Sequence, residues 1–157
     1  MTDVIDPNAR IADLVGLLYV LNNIFEGKTD LFELEKEMEV DLDDLMPIVY
    51  TASNLGFVNS ESGDISITNL GINYIKSGIV QRKKIIRDIL KNIEPFKTAI
   101  ELRTFELDEI MEKLMENGIQ TFNNPGGNHD LEVILIEWGI YSKFLNKTDD
   151  GFGVTFN

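Results

Sequence analysis

The chain has 157 residues with 43% hydrophobic and 26% charged side chains and no cysteine, the profile of an ordinary globular protein that needs no disulfide or thiolate metal site to fold. Its 27 acidic and 14 basic side chains leave a net charge of −13, which disfavours polyanions and anionic lipid as partners. The longest strongly apolar run, Leu14 to Leu21, is far short of the ~20 residues that span a bilayer, so a cytoplasmic protein without membrane insertion is expected.

From Arg10 to Glu26, the residues Ile11, Leu14, Val15, Leu18, Leu21 and Phe25 recur at intervals of three and four, predicting an amphipathic helix that Gly27 stops. Asp30 is placed to cap a short helix over Leu31 to Met38, with Glu33 at its third position. Asp41 and Asp44 repeat the device for a third helix, Leu42 to Leu55, which contains Pro47. Its expected inward stripe is Leu42, Leu45, Ile48, Val49, Ala52 and Leu55. Asp43, Asp44, Pro47, Tyr50, Thr51 and Asn54 are left facing outward. After Gly56, Phe57-Val58 and Ile65-Ser66-Ile67 read as two strands joined by the turn Ser62-Gly63-Asp64. A helical turn from Ile72 to Lys76 then ends at Ser77-Gly78.

The second half opens with a helix from Ile79 to Ile93, whose apolar stripe (Ile79, Ile86, Ile89, Leu90, Ile93) runs beside the basic cluster Arg82, Lys83, Lys84, Arg87 and Lys91. Pro95 interrupts it. Helices are predicted over Phe96 to Phe105 and Leu107 to Glu116, then a loop from Asn123 to Asn128, then a helix over Leu131 to Trp138 capped by Asp130. Trp138-Gly139-Ile140-Tyr141 echoes Leu55-Gly56-Phe57-Val58 at an offset of 83 residues, and both are followed by a turn and a return strand, the second over Gly153 to Phe156. The expected fold is therefore mainly α with small β-hairpin wings. It comprises tandem winged helix-turn-helix units, the second degenerate: one over residues 1–78, then a helical linker and the second unit over 79–157, packed as one compact chain.

In such a unit the third helix and the wing lie on DNA. From Glu37 to Ile75, however, there is no lysine or arginine, while Glu37, Glu39, Asp41, Asp43, Asp44, Glu61 and Asp64 all fall inside. A surface that neutralises phosphates needs cations. Nucleic acid is therefore an unlikely partner, and the expected contacts are with protein: Asp43, Asp44, Tyr50 and Asn54 on one face, Arg82, Lys83, Lys84 and Arg87 on the other.

No catalytic set is visible. Gly27-Lys28-Thr29 lacks the glycine a phosphate loop needs five residues earlier, where Asn22 stands, and a predicted helix rather than a strand precedes it. His129, the only histidine, reads as an exposed loop residue without an activated serine to serve. A calcium loop starting at Asp41 would need glycine and glutamate where Met46 and Ala52 stand. Trp138 and Tyr141 read as core. The expectation is no catalytic residue, no metal and no cofactor.

The segments Asp30 to Leu34, Leu42 to Pro47, Leu55-Gly56-Phe57, Gly63-Asp64-Ile65 and Leu70-Gly71, continuing to Gln81-Arg82-Lys83-Lys84, together resemble the AAA-associated C-terminal domain. That domain is found attached to the ATP-binding subunits of nitrate, sulfonate and taurine type ABC importers. Trp138-Gly139-Ile140-Tyr141 is similar to that family's Trp-Gly-Arg-Tyr segment, with Ile140 where arginine is usual. The resemblance implies a non-enzymatic regulatory or protein-interaction module. Its partner would be an ABC transporter ATP-binding subunit, with a homo-oligomer as a further possibility. The alternative reading is a DNA-binding transcriptional regulator.

Overall fold

The computed structural model describes residues 3–156, which divide into two compact units. The first is Asn8–Arg82. The second runs from Lys83 onward and includes the N-terminal segment up to Pro7.

The first unit runs α1 (Ile11–Asn23), β1 (Lys28–Asp30), α2 (Leu31–Met38), α3 (Leu42–Asn54), β2 (Val58–Glu61), β3 (Asp64–Ile67) and α4 (Asn69–Lys76). Leu14, Leu17, Leu18 and Leu21 of α1 are fully buried, as are Leu34, Ala52, Phe57, Ile65 and Tyr74. Burying side chains of this size is worth about 1.5–3 kcal/mol each, the main force holding the helices on the sheet. Asp30 caps α2 by accepting from the Glu33 amide at 2.7 Å, as its sequence position predicts.

Asp41 does not cap α3 through its side chain; the Leu42 amide instead donates to the Glu35 carboxylate of α2. The Leu42 amide is thus satisfied by a carboxylate seven residues earlier, on the preceding helix. The α3 stripe also rotates slightly from its expected face, with Leu42 40% exposed and Thr51 fully buried. The β2–β3 turn has Ser62 at φ 53° and Gly63 at φ 86°, the two consecutive left-handed residues that let a two-residue hairpin follow the strand twist. The sheet has the antiparallel order β1-β3-β2, and its strand β1 has no counterpart among the elements expected from the sequence.

The helix α5 (Ile79–Leu90) carries the boundary between the units, between Arg82 and Lys83. Ile79 and Val80 at its start are 68% and 85% exposed, so Ile79 is not part of the apolar stripe; Ile85 takes that role with Ile86 and Leu90. The second unit continues with α6 (Phe96–Leu102), β4 (Thr104–Phe105), α7 (Leu107–Glu116), α8 (Gly127–Ile134), a π-helical turn (Leu135–Ile140), β5 (Leu145–Lys147) and β6 (Phe152–Val154). Thr104-Phe105 is thus strand, not the end of a helix. Gly127 to His129 form the first turn of α8 rather than a loop, and Gly126, not Asp130, occupies the cap. The second sheet is antiparallel with order β4-β6-β5.

The two units repeat one plan in detail. Val58 pairs with Ile67 and Leu145 with Val154, each position in the second hairpin lying 87 residues after its counterpart in the first. The correct echo of Leu55-Gly56-Phe57-Val58 is therefore Ser142-Lys143-Phe144-Leu145, not Trp138 to Tyr141. Gly56 and Lys143 share the left-handed conformation, at φ 88° and 66°. The threonine closing each hairpin makes the same bonds: Thr68 places its hydroxyl 2.6 Å and 3.0 Å from the Gly56 and Phe57 carbonyls, and Thr155 donates to the Lys143 carbonyl with that of Phe144 at 3.3 Å. The backbone amides of Thr68 and Thr155 donate to Phe57 and Phe144, both at 3.0 Å.

The offset itself changes by one residue within the helix before the hairpin. Buried Leu131, Ile134 and Leu135 stand where Leu45, Ile48 and Val49 stand in α3, an offset of 86, while beyond the π turn it is 87. The wider turn takes up one inserted residue without rotating the upstream apolar face away from the core.

Candidate interaction surface

The outward face of α3 presents Asp43, Asp44, Met46 and Tyr50, with Tyr50 48% and Met46 36% exposed. Asp43 and Asp44 occupy the first helical turn, where the helix dipole favours negative charge. The neighbouring hairpin adds the exposed residues Ser60, Glu61, Ser62 and Asp64. Asn54, expected on this face, is only partly exposed, and its Nδ2 atom is buried without a hydrogen-bond partner. It therefore contributes little to an outer contact.

The basic cluster is largely spoken for within the chain. Arg82 donates through Nε to the Tyr74 carbonyl at 3.1 Å and through Nη2 to that of Ile75 at 2.7 Å, closing the end of α4, and its guanidinium lies 5.5 Å from the Tyr74 ring centre. Within the second unit, Lys83 sits 5.1 Å from the Tyr141 ring centre and Arg87 donates to the Ser142 carbonyl at 3.3 Å. Lys84 is exposed. The cluster thus reads mainly as helix-end and ring contacts. Of the other residues weighed from the sequence, Trp138 is fully buried, Tyr141 is half-buried beneath Lys83, and His129 is exposed on α8. Among the described residues, no group of three or more His, Cys, Asp or Glu side chains is placed to hold a metal ion, and no helix is long and apolar enough to cross a membrane.

Residues 32–148 match the family model of the C-terminal AAA-associated domain. The chain belongs to that family. No curated protein and no solved structure matches it. The match to this C-terminal AAA-associated domain spans about three-quarters of the chain, and the family's description associates it with AAA ATPases.

This AAA-associated chain also has a feature that sequence reasoning missed, a groove of about 690 Å³ in the first unit. One wall is the outer side of α1, at Val15, Gly16, Tyr19 and Val20; Met38 and Ile75 come from the ends of α2 and α4. The only trace in the sequence is that α1 is apolar on more than the stripe its core contacts use. Gly16 lies mid-helix, and a Cβ there would meet only the Met38 Cε at 3.9 Å, an ordinary contact. Gly16→Ala should therefore stabilise the fold by about 0.5–1 kcal/mol through reduced unfolded-state freedom. The check is the midpoint of urea unfolding, which should rise; a fall would mean that the site has no room for the added methyl.

Proposed function

We propose that this chain is a non-enzymatic docking and regulatory module for an ABC importer ATPase on the cytoplasmic side, contacting its partner through the outward face of α3 and the adjoining hairpin. The order of helix, strand, two helices and hairpin in each unit is read here as a winged helix whose usual DNA-facing surface has been turned to protein. The observation that carries this reading is the pairing of charge and exposure: Asp43, Asp44 and Tyr50 stand free on one face, in a stretch from Glu37 to Ile75 that contains no cation. A carboxylate-flanked aromatic suits a basic protein surface, with tyrosine as the anchor and the charges steering encounter. The family's association with ATPases supplies the class of partner.

The test is binding of the full chain to the cognate ATP-binding subunit by calorimetry. Tyr50→Ala combined with Asp43→Lys and Asp44→Lys should weaken binding at least about tenfold, roughly 1.4 kcal/mol. Unchanged affinity would remove this face from the interface. In parallel, the wild-type chain should show no salt-sensitive binding to random-sequence duplex DNA at ~100 mM salt. A steep salt slope there would restore the transcriptional reading.

A further inference from the structure

We propose that the groove along α1 binds an anionic amphiphile, specifically a straight-chain monocarboxylate whose apolar body lies on α1 and whose carboxylate meets Lys76 and Arg82. This goes beyond the docking role of α3 and does not depend on it. The volume of about 690 Å³ falls in the range of small-molecule pockets, ~300–1,000 Å³. Its floor is apolar, and Met38 offers a flexible thioether wall that conforms to an irregular chain.

The polar part of the lining decides the class of ligand. It consists of the Tyr19 phenol, Asn22, Asn23, Lys76 and Arg82, with no carboxylate, although the first unit holds 12 acidic residues against 5 basic ones. In so acidic a unit, a cavity that collects two cations and excludes every carboxylate is complementary to an anion. Arg82 is held in place by the Tyr74 and Ile75 carbonyls through Nε and Nη2, so the guanidinium at the groove is a fixed fork rather than a mobile one. Such preorganisation reduces the ordering cost of binding. A second copy of the chain is a poorer occupant: an isologous contact would set the same cationic rim against itself, between two molecules of charge −13.

The experiment is a titration of the isotopically labelled full chain, followed by amide chemical shifts, with monomeric decanoate, decanol and decyltrimethylammonium as probes. Decanoate should give saturable shifts confined to residues 15–23, Met38 and 75–82. Decanol should bind about tenfold more weakly and the ammonium not at all, because the carboxylate contributes charge-assisted hydrogen bonds. Gly16→Leu should abolish binding by filling the floor. Lys76→Glu, an exposed change that leaves packing untouched, should weaken it about fivefold, the size of one exposed ion pair. Absence of saturable shifts, shifts elsewhere, or equal affinity for the uncharged or cationic probe would overturn the proposal. So would groove shifts produced by the ATPase subunit or by raised protein concentration but not by decanoate.

Discussion

Trp138→Ala should lower stability by about 3–5 kcal/mol, the usual cost of emptying a large aromatic site in a core that cannot fully collapse. Trp138 is completely buried at the π turn, in the second unit whose core also includes Phe96, Phe144 and Leu135. Its carbonyl additionally accepts the Ser142 hydroxyl at 2.7 Å, so a shift of the turn disturbs a buried bond as well as packing. Domains of this size hold only ~5–15 kcal/mol in total, so the loss is a large fraction of it. Because the substitution removes the only tryptophan, urea unfolding is best followed by far-ultraviolet circular dichroism. A midpoint equal to wild type would mean that Trp138 contributes no net packing, against its complete burial. Trp138→Phe, which keeps an aromatic body, should recover a substantial part of the loss.

Gly71→Ala should be the corresponding break in the first unit. Gly71 lies in the first turn of α4, where Thr68 accepts its amide at 3.1 Å, and a Cβ built on it would fall 2.4 Å from the Phe57 carbonyl oxygen and 2.7 Å from Ile67 Cγ1. Neither neighbour yields easily. The Phe57 carbonyl is held by both the amide and the hydroxyl of Thr68, and Ile67 is paired with Val58 in the hairpin. Alanine is the better helix former, so propensity alone would favour the change by about 1 kcal/mol. The steric term opposes it and should win, placing the net cost near the upper end of the ~1–3 kcal/mol typical of overpacking. Calorimetric melting of the variant checks this; an unchanged or higher melting temperature would show that α4 slides outward without cost.

Much of the fold was legible in the sequence because periodicity and punctuation agree. The α1 pattern, the Asp30 cap, the Ser62-Gly63 turn and the span of α7 all follow from short-range chemistry that the structure retains. What escaped was set by longer-range pairing. Lys28-Thr29-Asp30 and Thr104-Phe105 are too short to display strand alternation, and they become strands only because β3 and β6 offer an edge. Gly126-Gly127-Asn128 carries loop residues, yet Gly127 is needed inside α8, since a Cβ there would sit 1.7 Å from the Phe122 carbonyl oxygen. The packing requirement for no side chain outweighed the helix cost of glycine.

The candidate surface divides along the same line. Exposure of Asp43, Asp44 and Tyr50 followed from their places on the α3 wheel. The fate of Arg82, Lys83 and Arg87 did not, because their partners are backbone carbonyls and a ring that no spacing rule connects to them. The groove was invisible for a related reason: its walls come from four segments scattered between Val15 and Arg82.

The matching threonine bonds at Thr68 and Thr155 carry a consequence for how this molecule tolerates change. Each hairpin is latched to the preceding helix end by main-chain acceptors, which persist whatever side chains surround them. Lys143 can replace the glycine of the other latch, and a residue can be added upstream, while the joint keeps its shape. With its architecture secured in this way, the exterior of each unit is at liberty to differ, so one chain can present two unlike faces on a single repeated frame.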